Sequence, residues 1–507
     1  MPLITTTWVN SEPRKWRTGT VSASSKREKE YSAGEVGLLS GDSRLGGEDT
    51  GVHGRDGRPA VPQFRGLDGR IPSHYLENTS VTPLDALVSA AVGIQLESPI
   101  SESIGTSHGS PYAVNHFSPS TSTGSEVQPL ANIEEACLLR YFIEELSPWF
   151  DHCDSQSHFR LVVPLRAHHC LTLRNAIFAV SSRHLSRLPQ YKTAQGIVYH
   201  GQVLPNLTTS SAVEYMLKCI PGLLSFHTVQ DPQDQEHLMA AAIILRQGTP
   251  TPTTTDGRQQ RVNFLAITQT IIYSMISTPF ARSSLAAAAY WIAIRQEVYY
   301  ALTRKRAPCV TFTAEDWTTA TPANIMIMHA GQVTKWCWGD RSIGEYERLK
   351  HHQAQLITDY AAHFLPILQT PPDKSKGDIF PTVWYTTDAQ VTGVQHLELA
   401  RMILIAENPR LRNPSTPRAL PRKAEAQVRS IVLDLCGIAL GNASRRLPAL
   451  VNAVISILLY GEYFSEQRER DALRGVIERT RDMRAWPLRR SYERLCALWE
   501  VVDSVEV

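Results

Sequence analysis

Residues 428–439 read VRSIVLDLCGIA, with Val428, Ile431, Val432, Leu435, Ile438 and Ala439 at i, i+3, i+4, i+7, i+10 and i+11. That recurrence gathers all six on one side of an α-helix and does not fit the two-residue alternation of a strand. The same spacing appears upstream. Ile133, Cys137, Leu138, Tyr141, Phe142 and Leu146 form a helical face that Pro148 closes. Val391, Val394, Leu397, Ala400, Ile403 and Leu404 form another, in a helix expected over 387–407 and stopped by Asn408-Pro409.

Further helices are expected over 172–188, 194–204, 212–226 with Pro221 inside, 234–247, 262–277, 283–303, 322–338, 342–365, 448–464, 466–483 and 488–502. Pro414, Pro417 and Pro421 read as a linker. No alternation is long enough to predict a sheet, and no self-similarity recurs at a fixed period. The expected fold class is all-α, an irregular multi-helix bundle or helical solenoid preceded by a disordered N-terminal region.

Composition places the boundary near residue 130. Residues 1–130 hold 19 Ser, 15 Gly and 10 Pro. Together these exceed the roughly 25–30% at which unperiodic Pro, Gly and Ser signal disorder. Within 1–130 one short helix is expected at Leu84–Ile94. Residues 131–507 form the expected helical domain.

The 507-residue chain carries a net charge of +2, and its first 130 residues hold 11 Lys+Arg against 14 Asp+Glu. The front is therefore not a basic DNA-binding arm. Two short clusters in it, Arg14, Lys15 and Arg17, then Lys26, Arg27 and Lys29, are candidate nuclear-import residues, against the commoner reading of a solvated charge run. Arg304-Lys305-Arg306 and Arg445-Arg446 are the other basic runs.

All eight cysteines lie at or after Cys137, with no CxxC pair. That spacing fits a reducing compartment rather than a disulfide framework. The longest apolar runs, 285–294 and 454–459, fall well short of the roughly 20 residues of a spanning helix, and the start lacks a secretory signal, so no membrane association is expected.

Nucleotide-cradling glycine loops, nucleophile elbows and paired-histidine zinc helices are missing, so no catalytic residue, metal or cofactor is expected. The one dense region of ligating side chains is Asp151, His152, Cys153, Asp154, His158, His168, His169 and Cys170. Imidazoles and thiolates suit zinc, but the spacing departs from that of zinc ribbons and fingers. The favoured reading has Asp151 and Asp154 capping the turn after the first helix. His351-His352 reads as a solvated face. Trp291, Tyr299, Tyr300, Trp336, Trp338, Trp384 and Tyr385 could line a ligand pocket, with ordinary packing the commoner role.

The strings EEACLLRYFIEELSPWFDHCD from residue 134, and HFRLVVPLRAHHCLTLRNAIFAVSSRHLSRLPQYKT after it, resemble the regulatory domain of fungal binuclear zinc-cluster transcription factors of the ARCA-like type. The resemblance continues through WIAIRQEVYYALTRKRAP, HAGQVTKWCWGDRS and LVNAVISILLYGEYFSEQRER, over about 131–507. It implies an all-helical, non-catalytic nuclear regulatory domain. The implied partners are other transcription factors or co-regulators, in a homo- or heterodimer.

Two departures bear on function. Family members usually carry an N-terminal six-cysteine zinc cluster that reads the major groove, whereas no cysteine precedes Cys137 here. Residues 248–261, GTPTPTTTDGRQQR, stand where the family continues a helix, as an insertion or an exon junction. The leading expectation is a transcriptional regulator that reaches DNA only indirectly, through protein partners. The alternatives are a DNA-binding factor whose zinc-cluster exon lies upstream, and a helical small-molecule receptor or enzyme with a buried pocket.

Overall fold

The structure is a computed structural model that describes residues 129–208, 210–248, 264–277, 284–413, 415–442, 448–484 and 489–505. The expected disorder up to residue 128, the helix at Leu84–Ile94 and the loop at 249–261 lie outside the described residues.

The first helix, α1 (Ile133–Tyr141), starts where the Asn132 side chain accepts hydrogen bonds from the amides of Glu134 and Glu135. It runs on through a π-helical turn, Phe142–Leu146, before Pro148. Three one-turn helices follow: α2 (Pro148–Asp151), α3 (His158–Leu161) and α4 (Val163–Ala167). Then come α5 (Leu171–Arg187), α6 (Ser211–Leu224, with Pro221 inside), α7 (Pro232–Gly248), α8 (Phe264–Ser277) and α9 (Ser284–Arg304).

The second half comprises α10 (Ala314–Thr319), α11 (Pro322–Cys337), α12 (Ile343–Asp359), α13 (Asp388–Ala406), α14 (Ala419–Gly441), α15 (Pro448–Tyr460), α16 (Gln467–Arg484) and α17 (Arg489–Val505). Two of these starts carry reciprocal capping boxes, Thr313 with Asp316 and Thr387 with Gln390. The class is all-α, as the periodicity predicts.

Three local expectations are corrected. Residues 194–204 are not a helix but most of a three-stranded antiparallel sheet: β1 (Lys192–Thr193), β2 (Gly196–Tyr199) and β3 (Gln202–Leu204). His200 and Gly201, at φ 46 and 75, make the two-residue turn between β2 and β3. Positive φ at both central residues matches the twist of the flanking strands and cannot occur inside a helix. A second hairpin pairs β4 (Leu368–Thr370) with β5 (Thr382–Trp384). The helix expected over 342–365 ends at Asp359. Pro421 belongs to the first turn of α14 rather than to a linker, because amides there have no intrahelical acceptor to lose.

Two packed groups share one core. In the first, α5 lies against α6, α7 and α1; in the second, α13 lies against α11, α14 and α15. Helix α9 touches α7 and α8 on one side and α11 and α15 on the other. Its Leu285, Ala289, Tyr290, Ala293, Ile294, Val298 and Ala301 are buried, so it is the shared wall of both groups. Among the described residues, no helix is long and apolar enough to cross a membrane.

Candidate functional site

The His/Cys region folds into the turn joining α2 to α3. The Asp151 carboxylate accepts the amides of Phe159 at 2.9 Å and Arg160 at 2.8 Å. Asp154 accepts the amides of Gln156 at 3.0 Å and His158 at 2.9 Å, with His158 Nδ1 at 2.7 Å. Both carboxylates therefore serve as caps. Burial pushes Asp151 up to about 6, outweighing the two amide bonds that favour its charged form. Among the described residues, no group of three His, Cys, Asp or Glu side chains is placed to hold a metal ion.

This turn meets the second half of the molecule through α9. Arg295, buried on α9, donates to the Phe150 carbonyl at 2.9 Å. Around it stand Cys153, whose thiol burial pushes up against the pull of Arg295, and His396 on α13, which burial holds down at about 4. His396 Nδ1 lies 2.7 Å from the Thr392 carbonyl, to which it donates. The cleft beside them, lined by Trp149, His152, Asp388, Thr392 and Asn442 among others, has an interior of about 10 Å³, room for one water.

A second polar centre lies two residues further along α9, on another face of the helix. Glu297, fully buried, takes Arg246 of α7 at 2.6 Å on one oxygen and Arg306 at 2.8 Å on the other. The Arg246 guanidinium sits 4.6 Å from the centre of the Tyr300 ring, and the Tyr300 hydroxyl donates to the Arg246 carbonyl at 2.9 Å. Arg304 lies 5.2 Å from the same ring. Through Tyr300 and Glu297 the end of α7 is tied to the C-terminal half of α9. No sequence signal announced this centre, because its members are separated by helices rather than by a motif.

His351 is exposed, as a solvated face requires, but His352 is half-buried and turns inward. Its Nδ1 lies 3.2 Å from Nδ1 of the buried His329. The Gln353 amide donates to the Leu397 carbonyl at 3.1 Å, which points its oxygen at His329 Nε2, 2.7 Å away. His329 therefore donates through Nε2 and accepts through Nδ1.

The candidate pocket aromatics do not converge. Trp336 is buried, packs on Tyr346 and donates to the Ser342 carbonyl, while Trp384 stands half in solvent on β5. Trp291 packs edge-on against Tyr290, and Tyr299 against Tyr300.

One surface feature falls within the first group of helices. On α6, Val213 and Leu217 are exposed and Ile220 and Leu224 half-exposed, at i, i+4, i+7 and i+11. They make one apolar stripe. Glu134, Glu135 and Glu214 act together on neighbouring Tyr215, which burial foremost pushes up to about 12.

Residues 137–291, from α1 into α9, match the family described as fungal specific transcription factor domain. No curated protein and no solved structure matches the chain. The match supports a role in transcriptional regulation, and the matched family is a transcription factor domain rather than an enzyme family. The α2–α3 turn, Arg183, Arg246 and the α6 stripe fall inside the domain; Glu297 and Tyr300 lie just past its matched end. The nuclear-import candidates Arg14, Lys15, Arg17, Lys26, Arg27 and Lys29 lie outside the described residues.

Proposed function

We propose that the chain regulates transcription in the nucleus through protein partners, in a homo- or heterodimer or with co-regulators, and reaches DNA through them. The domain at 137–291, in a chain with no cysteine before Cys137, carries this reading. The α6 stripe supports it. A folded protein covers helix faces of this kind against its own core or a partner. The acidic residues beside Tyr215 favour a partner helix with an apolar stripe and basic flanks.

The test tethers the full chain to a reporter promoter through a heterologous DNA-binding domain. Reporter output changes several-fold, and the Val213→Glu/Leu217→Glu variant loses the change while keeping its circular dichroism spectrum. Unchanged output from the tethered chain, or full output from the variant, rejects the reading. Sequence-selective DNA binding by the purified chain alone would reject its second half.

A further inference from the structure

The chain passes from α13 to α14 through a 3-10 turn, Pro409–Arg412, and a short loop that ends at Ala419. Residues 408–424 contain Arg410, Arg412, Arg418, Arg422 and Lys423 and no Asp or Glu. Within the loop stands Thr416, followed by Pro417. Its hydroxyl donates to the Arg410 carbonyl at 2.5 Å, and its amide to the Asn413 carbonyl at 2.9 Å. Thr416 is half-exposed, while Ser415, Pro417 and Arg418 are exposed. These bonds are local and open to solvent, so the loop opens without disturbing the core.

Three other hydroxyl residues among the described ones precede a proline: Ser147, Thr321 and Thr370. Ser147 is fully buried and donates to the Ile143 carbonyl. Thr321 caps α11, accepting the Asn324 amide. Thr370 is paired with Thr382 across the β4–β5 hairpin, and Asp373 and Asp378 follow it. Thr416 differs in joining an accessible hydroxyl to surroundings rich in arginine. The carboxylates closest to those arginines hold them by surface pairs only. Glu407 takes Arg412 at 2.9 Å and Arg341 at 3.1 Å, and Glu347 lies 3.7 Å from Arg410. Exposed pairs of this kind are weak and yield to a group of higher charge. Arg418, Arg422 and Lys423 have no ion pair among the described residues.

We propose that Thr416 is a phosphorylation site for a proline-directed protein kinase, and that Arg410 and Arg418 receive the phosphate. The γ-phosphoryl group of ATP passes to Thr416 Oγ1. The bond from the γ-phosphorus to its bridging oxygen breaks, the hydroxyl proton goes to the base of the kinase, and ADP leaves. The esterified Oγ1 has no hydrogen to give the Arg410 carbonyl, so the bond that closes the loop is lost. In its place stand nearly two negative charges and three acceptor oxygens. Arg410 lies against them through its own carbonyl, and Arg418 follows two residues on. Guanidinium forks match phosphate oxygens in geometry as well as charge. The first turn of α14 carries no acidic side chain to oppose them. One neutral hydrogen bond is thus exchanged for charge-assisted ones that fasten α13 to α14. The site lies outside the matched residues 137–291 and does not depend on the regulatory reading above.

The experiment incubates the purified full chain with a purified proline-directed serine/threonine kinase and Mg-ATP, and maps phosphate by mass spectrometry. A peptide of residues 408–424 is the parallel substrate. Thr416 is modified in both. In the chain its yield exceeds that of Ser147, Thr321 and Thr370 about tenfold, because those hydroxyls need the fold to open first. A chain carrying phosphothreonine at 416, incorporated during translation, is then titrated by phosphorus-31 NMR. Its phosphate titrates about one unit below the usual value of about 6, because neighbouring guanidinium groups favour the dianion. The Arg410→Gln/Arg418→Gln variant, shown to be folded by circular dichroism, returns it to that usual value. Absence of phosphate on Thr416 in the chain or in the peptide overturns the site, as does modification of Ser415 in its place. An unshifted titration in the parent chain, or one still shifted in the double variant, overturns the role of the two arginines.

Discussion

Arg246 and Glu297, 51 residues apart in sequence, meet at 2.6 Å with both side chains closed to solvent. Glu297 carries Arg306 and the Cys309 amide on its other oxygen, so it ties α7, α9 and the segment after α9 together.

Glu297→Gln removes the charge while keeping the shape. It takes the carboxylate charge from Arg246 while that guanidinium stays buried, and a broken buried pair of this kind costs about 3–5 kcal/mol. Urea unfolding monitored by circular dichroism measures it as a lowered midpoint. Replacing both partners, Arg246→Met with Glu297→Leu, recovers much of the loss, because the apolar pair has no charge to strand.

His329 gives the fold an acid-sensitive joint. Burial foremost, then the neighbouring His352, depress it from 6.5 to about 3. Its folded value lies below its unfolded value, so unfolding takes up a proton once the pH drops below about 6.5. Its contribution is complete above that pH and is lost as the pH falls toward 3. At pH 5 the loss is about 2 kcal/mol for this histidine. His329→Gln cannot titrate, so its unfolding free energy declines less steeply between pH 7 and pH 5 than that of the parent.

Two glycines on α14 admit the β4–β5 hairpin. A methyl group at Gly437 would enter the backbone and ring of Pro381, and one at Gly441 would meet the Val383 carbonyl and the Trp384 ring. Alanine normally gains roughly 1 kcal/mol over glycine inside a helix. Here the clash reverses the sign, and Gly437→Ala is expected to cost about 1–3 kcal/mol net. Gly475→Ala on α16, whose added methyl meets nothing, is the control and is expected to stabilise. Thermal unfolding of the two variants side by side decides it.

Asp151 caps α3 with two oxygens on two amides. Asp151→Ala strands both donors and is expected to cost about 2 kcal/mol. Asp151→Asn keeps one acceptor and sheds the cost of burying a charge, so it destabilises less. Equal losses in denaturant unfolding would show that the charge, rather than the acceptors, holds the turn.

Most helices were legible because a 3.6-residue period is a property of neighbouring residues. The α2–α3 caps were legible too, since Asp151 and Asp154 lie within nine residues of the amides they bind. The β2–β3 hairpin was misread although its signal was present: His200-Gly201 is a turn pair, but its strands are only four and three residues long. The inward turn of His352 was not legible, because adjacent histidines point to different faces of a helix and the sequence does not say which face is covered.

By itself the sequence determined that VRSIVLDLCGIA is helical and which of its faces is apolar. The six spaced residues, from Val428 to Ala439, are all buried on α14. It equally determined that no cysteine precedes Cys137. Only the tertiary structure decided which charges share a site. Arg246 lies on α7, Glu297 on α9 and Arg306 just past its end, each an ordinary charged residue in the sequence. Local spacing sets helix and face, whereas the environment of a charge is set by the partners that burial brings to it. At Glu297 the partner Arg246 comes from 51 residues away.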